Sequence, residues 1–378
     1  MNDKEIGEIR RRFKIDRTNI NSIFGCYVND RREIISQFEQ SMFNIQENER
    51  EMYLNLLKKV LTGTLNKNLL DISFTTKQTM DSEEHSLLMR LKDSSLKEDE
   101  ALTELYTKII ESVMIEGNYL ILIASEKYDV GYKSKDGGSF SEASDTVFNY
   151  FICALCPVKE STASLEFEPT ENIFQNSGTS YKVNSPSIGF MFPCFDDRGT
   201  NIHNALFYTK SSTDNHPELI DVLFKYEKEI LSADGEKEIF QSILCETLDD
   251  ECDLETLQAV QNKLEFAILE HKESKNPEPM TMGKNTVLGI LEDSGVKDEK
   301  VENFSKLYDE QFGKTTAINP KNIINERQFE VNTPNVIIKV KPEFKELIET
   351  RIIDGKKYIL IDAENAVEVN GIAIDIKD

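Results

Sequence analysis

The chain lacks several features whose presence would indicate a class of protein. It has no tryptophan, only 17 glycines and 10 prolines among 378 residues, and six cysteines. So few glycines and prolines exclude a fibrous or low-complexity chain, and six cysteines in a chain of this length do not form a disulfide scaffold. Basic side chains are scarce too, because 44 lysines and arginines stand against 68 acids, a net charge of −24. This charge excludes extended coating of DNA or RNA, since phosphates repel an acidic surface.

The sequence also lacks a hydrophobic run long enough to cross a membrane. Its longest apolar stretches, Tyr119–Ala124 and Val147–Val158, fall short of the roughly 20 residues that span a bilayer. The charged start of the chain has no apolar segment of the kind found in signal peptides. We therefore expect a cytoplasmic protein with reduced thiols and no membrane partner.

Apolar residues recur at helical spacing in several segments and predict helices there. Ser95 and Glu98 have the spacing of a capping box, which predicts a helix start at this point. Asp81 is a predicted N-cap of an earlier helix, on which His85 is expected at the exposed surface. Asp253 is the predicted N-cap of a long helix.

The two longest apolar stretches predict strands that are buried on both faces. Shorter apolar runs at residues 188–192 and 205–208 predict two more strands, on either side of a polar loop. Because helices alternate with these strands, the fold class predicted for residues 1–273 is α/β. This region is expected to form one lobe, or two lobes split near residues 130–160.

The end of the chain has a different pattern. Residues 274–283 are polar and contain two prolines, which predicts a linker. Residues 284–378 then predict a small antiparallel α+β domain, with two short helices followed by short strands. Asp354-Gly355 and Asn370-Gly371 tolerate the positive φ of type I′ turns and predict two β-hairpins.

Cys153 and Cys156 have the CxxC spacing of redox and zinc sites. They lie inside an apolar run, however, where strand geometry would direct the two sulfurs to opposite faces. A zinc site would also need a second Cys or His pair with suitable spacing, and no other CxxC occurs. We predict that both are structural core thiols and that there is neither a redox site nor a metal site here.

A polar loop between two predicted strands is the candidate catalytic site. Carboxylates and imidazoles supply general acid–base groups and metal ligands. The alternative is a solvated turn in which an aspartate pairs with Arg198, and no HExxH, P-loop, GxSxG or GxGxxG pattern favours catalysis. The candidate residues are Asp196, Asp197 and His203, with Asp214 and His216 nearby.

The first 32 residues have the opposite charge to the rest of the chain. They hold eight basic and five acidic side chains, a net charge of +3, whereas residues 227–278 have a net charge of −10. The basic residues could pair with the acidic body or bind a small anion or an RNA backbone. The acidic segment predicts a solvated helical face or a contact with a basic protein. The anion- or RNA-binding candidates are Arg10, Arg11, Arg12, Arg17, Arg31 and Arg32.

Several short segments together resemble a domain-of-unknown-function family of Firmicutes, chiefly clostridial. The resemblance covers the whole chain and implies a bacterial cytosolic protein. It assigns no activity, cofactor or catalytic residue. The segments are Ile9–Phe13, Gly25–Asn29, Ala143–Phe148, Cys156–Lys159, Phe195–Arg198 and His271–Pro279.

A fainter resemblance is to bacterial relatives of archaeal and eukaryotic peptide-chain release factors. Those proteins have three domains, with a Gly-Gly-Gln loop in the middle one. This chain has Gly137-Gly138-Ser139 and lacks the glutamine. The resemblance therefore does not carry peptidyl-tRNA hydrolysis over to this chain.

Together these patterns predict a non-enzymatic binding or regulatory protein of the cytosol. Its expected partner is a protein or a ribonucleoprotein. The specific form of this hypothesis is association with translation or with the ribosome. No cofactor is predicted. The alternative is a metal-assisted hydrolase with its site around Asp196, Asp197 and His203.

Overall fold

The computed structural model describes residues 1–133, 139–140, 146–176, 178–226, 231–276, 278, 280–326, 328–363, 367–369 and 371–374. Contacts divide the chain into two compact units. The N-terminal unit is Met1–Ala233, and the C-terminal unit is Asp234–Asn276 with Met280–Asp378. The predicted fold class is confirmed, because an α/β region with a large antiparallel sheet precedes a region of helices and small hairpins. No helix in the described ranges has both the length and the apolar character needed to cross a membrane.

The N-terminal unit alternates helices and strands along the chain. Its helices are α1 (Asp3–Arg10), α2 (Glu47–Lys59), α3 (Thr76–Asp81), α4 (Glu83–Asp93), α5 (Asp99–Ser112) and α6 (Pro217–Phe224). Its strands are β1 (Ser22–Val28), β2 (Ile34–Ser41), β3 (Leu69–Ser73), β4 (Asn118–Asp129), β5 (Tyr132–Lys133), β6 (Ser139–Phe140), β7 (Val147–Ser161), β8 (Leu165–Glu168), β9 (Ile173–Asn176), β10 (Ser180–Val183), β11 (Ile188–Phe192), β12 (Cys194–Asp196), β13 (Gly199–Asn201) and β14 (Asn204–Thr209).

An eight-stranded antiparallel sheet forms the centre of this unit. The strand order is β2-β1-β4-β7-β11-β14-β3, and β10 pairs with the end of β7. The longest pairing joins β4 to β7, from Asn118 opposite Val158 to Asp129 opposite Val147. β4 ends just before residues 130–160 and β7 lies within them, and a split into two lobes near these residues stays a prediction.

Helices cover both faces of the sheet, which explains the continuous apolar runs. Along β4, Ile121 and Ile123 pack with α4, α5 and α6, whereas Leu120 and Leu122 pack with α1 and α2. All four are buried. Antiparallel sheets often leave one face in water, so the two-sided burial here requires apolar residues at consecutive positions. The prediction of strands buried on both faces is confirmed.

Of the three predicted helix starts, one matches the structure and two do not. Asp253 does cap its helix, since its side chain accepts a hydrogen bond from the Thr256 backbone N–H at 2.8 Å. The N-cap of α4 is Ser82 rather than Asp81, one residue later than predicted. The capping box before α5 is wrong, because Glu98 makes no cap bond and its carboxylate binds the Arg90 guanidinium.

His85 is also placed differently from its prediction. It is 3% exposed, and its ring lies edge-on to Phe74 and Phe192 at centroid distances of 5.0 and 5.6 Å. Nε2 lies 2.9 Å from the Ile202 carbonyl oxygen, so it donates a hydrogen bond there. Helical spacing alone did not show that a second layer of aromatic residues covers this position.

The C-terminal unit contains helices followed by paired short strands. Its helices are α7 (Ala233–Leu248), α8 (Leu254–Glu273), α9 (Lys284–Asp293), α10 (Asp298–Gln311) and α11 (Pro320–Ile323). Its strands are β15 (Phe329–Asn332), β16 (Ile337–Val340), β17 (Ile348–Ile353), β18 (Lys356–Ile361), β19 (Val367–Val369) and β20 (Ile372–Ile374). They form the antiparallel hairpins β15–β16, β17–β18 and β19–β20.

Positive φ angles are present at the predicted hairpin turns. Asp354 and Gly355 have φ of 50° and 75°, which gives the β17–β18 turn its expected conformation. Gly371 has φ of 80° before β20, whereas Asn370 lies outside the described residues. The hairpin prediction therefore holds where the structure describes the chain.

Contacts place α7 and α8 in the C-terminal unit, and the predicted domain boundaries stay a prediction. Helices α7 and α8 group with the C-terminal segment because their side chains bind it. Glu265 forms an ion pair of 2.6 Å with Lys345, and Glu236 accepts a 2.8 Å hydrogen bond from the Asn319 backbone N–H. A linker role for residues 274–283 stays a prediction.

Candidate nucleic-acid interface

A buried carboxylate organises the end of the sheet where α1 lies. The Glu126 side chain, 1% exposed, accepts hydrogen bonds at Oε1 from Arg12 Nε and Nη2, at 3.2 and 2.9 Å. Oε1 also accepts from the Asn19 backbone N–H at 2.7 Å, and Oε2 accepts from the Tyr150 hydroxyl at 2.5 Å. Burial, together with the neighbouring Glu126 charge, raises the pKa of Tyr150 well above its ordinary value. Such a set of donors is what a buried carboxylate needs.

Helix α1 has a second attachment through Glu8. Arg198 Nη1 lies 3.0 and 2.7 Å from the two Glu8 oxygens, and the Tyr128 hydroxyl donates to Glu8 Oε1 at 2.8 Å. Burial and then Glu8 raise the pKa of Tyr128. The Arg12 guanidinium lies 4.8 Å from the centre of the Tyr128 ring, which adds a cation–π contact. Both attachments therefore hold α1 in one position on the sheet.

The local sequence explains why α1 forms here. Asn2 and Glu5 make a reciprocal capping box at its N-terminus. Ile6, Ile9 and Phe13 are buried against the sheet. The arginines that follow on the chain are therefore presented at the outer edge of a fixed element.

The arginines of this segment serve two different roles. Arg12 is committed to Glu126, with its side chain 17% exposed. Arg10, Arg11 and Arg17 are exposed. In the described ranges Arg10 and Arg11 form no salt bridge, and Arg17 lies 3.7 Å from Asp16, an exposed pair of the kind that contributes little.

Arg11, Arg12 and Arg17 border a shallow cavity. Its volume is about 240 Å³, and three arginines contribute to its lining. A guanidinium presents several N–H donors in a planar fork that matches phosphate oxygens. The cavity is therefore suited to an anion with several acceptor oxygens. Its lining residues are Glu8, Arg11, Arg12, Arg17 and Tyr128.

Arg31 and Arg32 lie at the opposite end of β4. The neighbouring Asp30 backbone N–H donates to Asn118 at the start of that strand, at 3.1 Å, and Arg32 Nη1 donates to the Glu111 carbonyl oxygen at 3.3 Å. Glu126 is eight residues further along β4, which corresponds to roughly 27 Å at about 3.4 Å per residue. The six predicted arginines therefore form two separate groups.

The acidic loop becomes a tight hairpin of β12 and β13. Asp197 and Arg198 form its turn with φ of 45° and 57°, and the Asp197 backbone N–H donates to Glu5 at 2.8 Å. Asp196 accepts a hydrogen bond from Asn201 at 3.0 Å. Arg198 binds Glu8 of α1 rather than an adjacent aspartate, so the expected Asp–Arg pair is replaced by a longer-range one.

The other candidate catalytic groups do not assemble into a metal site. His203 is exposed, and Asp214 lies 3.3 Å from His216, whose pKa is lowered chiefly by burial. Across the ranges that the structure describes, no three His, Cys, Asp or Glu side chains are arranged to hold a metal ion. Gly137 and Gly138 lie outside the described residues.

Cys153 and Cys156 are buried in β7 and face opposite sides of the sheet. Burial raises the pKa of Cys153 well above its ordinary value and that of Cys156 to about 12. The thiolate is the form that reacts with metals and disulfides, so neither thiol is suited to that chemistry.

Sequence reasoning missed Glu126, Tyr128 and Tyr150. The partners of Glu126, Arg12 and Asn19, come from more than 100 residues earlier in the chain, as does Glu8, the partner of Tyr128. One available signal was Glu126, the first acid after the long apolar run at Tyr119–Ala124. A charged side chain in such a strand indicates a buried partner.

A comparison with protein families matches residues 1–372 to a family described as Domain of unknown function (DUF4317). The chain belongs to this family, as the resemblance of its short segments predicts. A search of curated proteins gives no significant match. The clostridial origin of the family and the fainter resemblance to release factors stay predictions.

Proposed function

We propose that this chain is a non-enzymatic binding protein of the bacterial cytosol that contacts a ribonucleoprotein, with the ribosome as the specific candidate. Arg10, Arg11 and Arg17 would hold RNA phosphates at the end of β4. The observation that carries the proposal is a set of exposed arginines at the end of a fixed helix and in the segment that follows it, in an otherwise acidic chain.

The fixed position of α1 supports this role. Arg12 and Arg198 pair with Glu126 and Glu8, so these two carboxylates are neutralised beside the exposed arginines. A site held in place before binding loses less conformational entropy when its ligand arrives. The buried pairs therefore orient the exposed arginines without competing for them.

The net charge of −24 limits the contact to a small patch. Acidic surfaces elsewhere would repel RNA, so only one orientation of the protein would approach it favourably. This supports a local, oriented contact with a ribonucleoprotein rather than coating of a long nucleic acid.

A metal-assisted hydrolase at Asp196, Asp197 and His203 has less support. Asp196 and the Asp197 backbone take part in hydrogen bonds that shape the hairpin, and His203 is exposed. That alternative requires a thermal shift with divalent cations that Asp197→Ala removes. Purified protein without such a shift would leave the hydrolase unsupported.

Co-sedimentation with bacterial ribosomes tests the proposal. At low salt we expect the wild-type chain to sediment with the ribosomal particles and R10A/R11A/R17A to remain in the light fractions. The matched control R31A/R32A removes exposed arginines at the other end of β4 and should still sediment. Wild-type protein that stays in the light fractions would refute ribosome association, and equal loss in both variants would refute the assignment to this site.

A further inference from the structure

A second cavity lies next to the arginine-lined cavity. It has a volume of about 460 Å³, which is in the range of small-molecule sites. Most of its wall comes from the segment that follows α1, and the remainder comes from the end of β2 and the start of α2. Its lining residues are Ile15, Thr18, Asn19, Ile20, Asn21, Met42, Phe43 and Arg50.

Arg50 brings a donor to this cavity that lacks an acceptor. It lies in the first turn of α2, and its Nε atom is buried with no hydrogen-bond partner in the described part of the chain. Buried polar atoms in proteins are nearly always hydrogen-bonded, and leaving one unpaired is costly. Because Nε is enclosed, a ligand in the cavity would meet the other guanidinium nitrogens, Nη1 and Nη2, which form no hydrogen bond or ion pair within the described residues.

Phe43 supplies an aromatic surface at the same cavity. Its side chain is 76% exposed, whereas the adjacent Met42 is 3% exposed and donates its backbone N–H to the Asn21 carbonyl oxygen at 2.8 Å. The backbone beside the ring is therefore fixed while the ring faces water. Exposed aromatic rings of this kind are stacking surfaces for unpaired bases.

The two cavities share a structural link. Thr18 of the second cavity directly follows Arg17 of the first. The Asn19 backbone N–H and the Arg12 guanidinium both donate to the same oxygen of Glu126. A phosphate at Arg17 would therefore place the rest of its nucleotide beside the second cavity.

We propose that the second cavity binds an unpaired base of single-stranded RNA. The base would stack on Phe43, the Arg50 guanidinium would donate through its Nη groups to an acceptor atom of the same nucleotide, and the adjoining phosphate would contact Arg17. This inference rests on the proposed function and extends it by assigning single-stranded rather than duplex RNA. Bases of a duplex are already paired and stacked, so they cannot reach the ring.

Fluorescence anisotropy with a labelled single-stranded RNA oligonucleotide tests the stacking contact. We expect Phe43→Ala to weaken binding by about 5- to 150-fold, the range for loss of one stacked base. Phe43→Leu keeps an apolar side chain and should weaken binding in the same direction, because it lacks the flat ring. The control Phe174→Ala removes another exposed aromatic residue, 69% exposed on β9, and should bind as wild type does.

An oligomer of ribose and phosphate without bases separates the two contacts. Wild type and Phe43→Ala should bind it equally, and R10A/R11A/R17A should bind it more weakly than either. Phe43→Ala that binds base-bearing RNA as tightly as wild type would overturn the inference and leave the proposed function standing. Wild-type protein that binds neither oligomer would overturn both.

Arg50 provides an independent check. Arg50→Met removes the donor while keeping an apolar side chain of similar length. We expect it to weaken binding of base-bearing RNA, with a smaller loss in Arg50→Lys, which keeps the charge. Unchanged affinity in Arg50→Met would contradict the role given to this side chain.

Discussion

The two units use β-strands in opposite ways. In the N-terminal unit, Ile123 of β4 is completely buried between helices and a neighbouring strand. In the C-terminal unit, Ile352 of β17 is 72% exposed in a two-stranded hairpin. An isolated two-stranded hairpin is marginally stable in water. The central strands of the N-terminal eight-stranded sheet therefore derive stability from burial, whereas the C-terminal strands depend on their turns and on the few residues that reach a core.

This difference explains where a precise site can be built. The N-terminal sheet is covered on both faces, so its ends are fixed points at which Glu126 and Glu8 hold α1. Binding groups on such a frame keep their geometry. The hairpin strands offer apolar surface, but the described residues give them no comparable frame.

The strongest test of the N-terminal frame removes its central carboxylate. Glu126→Ala leaves Arg12 and the Tyr150 hydroxyl without their acceptor, so we expect a loss of about 3–5 kcal/mol in the free energy of unfolding. Urea denaturation measures this, and Glu39→Ala on the exposed edge strand β2 is the matched control. A loss below 1 kcal/mol would show that the frame does not depend on Glu126.

The next test replaces one isoleucine with alanine in each unit. Ile123→Ala should cost about 2–5 kcal/mol, because it leaves a cavity in a packed core. Ile352→Ala should change the free energy of unfolding by less than about 0.5 kcal/mol, since its side chain is exposed. Similar losses in the two variants would mean that a partner or a second copy covers the hairpin.

Substitutions at two glycines compare the stability cost of overpacking with the cost of backbone strain. A Cβ at Gly189 would lie 2.6 Å from the Cys153 carbonyl oxygen and 2.6 Å from a Val60 methyl group. At Gly355, with φ of 75°, nothing lies within 4 Å. We expect Gly189→Ala to cost about 1–3 kcal/mol through overpacking and Gly355→Ala about 1 kcal/mol through its left-handed backbone. Thermal melts of both variants would check this order, and the reverse order would contradict it.

Much of the fold followed from local signals, and most of the site did not. The apolar runs and the Asp354-Gly355 turn act between near neighbours, so the sequence shows them directly. The capping role predicted for Glu98 is wrong because its carboxylate binds Arg90, which lies on the preceding helix α4. The charge pattern identified the six arginines but could not show that they form two groups. That division depends on which end of β4 each segment contacts.

The smallest expected effects concern pH, and they have opposite signs in the two units. Burial lowers the pKa of His85, so the N-terminal unit should lose stability as pH falls below about 6.5. Burial raises the pKa of Glu236, against hydrogen bonds from Asn319 and Asn322 that lower it. Its contribution is therefore full below the ordinary glutamate pKa and is lost as pH rises through the raised value.

Urea denaturation at several pH values distinguishes these two contributions. Relative to wild type, His85→Asn should make the free energy of unfolding rise less steeply with pH between 5 and 7. Glu236→Gln should make it rise more steeply just above the ordinary glutamate pKa, by less than about 1.4 kcal/mol per pH unit. Shifts of the same sign in both variants would contradict the assignment.

The salt dependence of RNA binding tests the central claim most directly. For single-stranded RNA, log K falls with log salt by about 0.7 for each phosphate neutralised. We expect the slope for R10A/R11A/R17A to be shallower than wild type by about 2, since three contacts are lost, and the slope for R31A/R32A to equal wild type. Equal slopes in all three proteins, or a shallower slope only in R31A/R32A, would contradict the account.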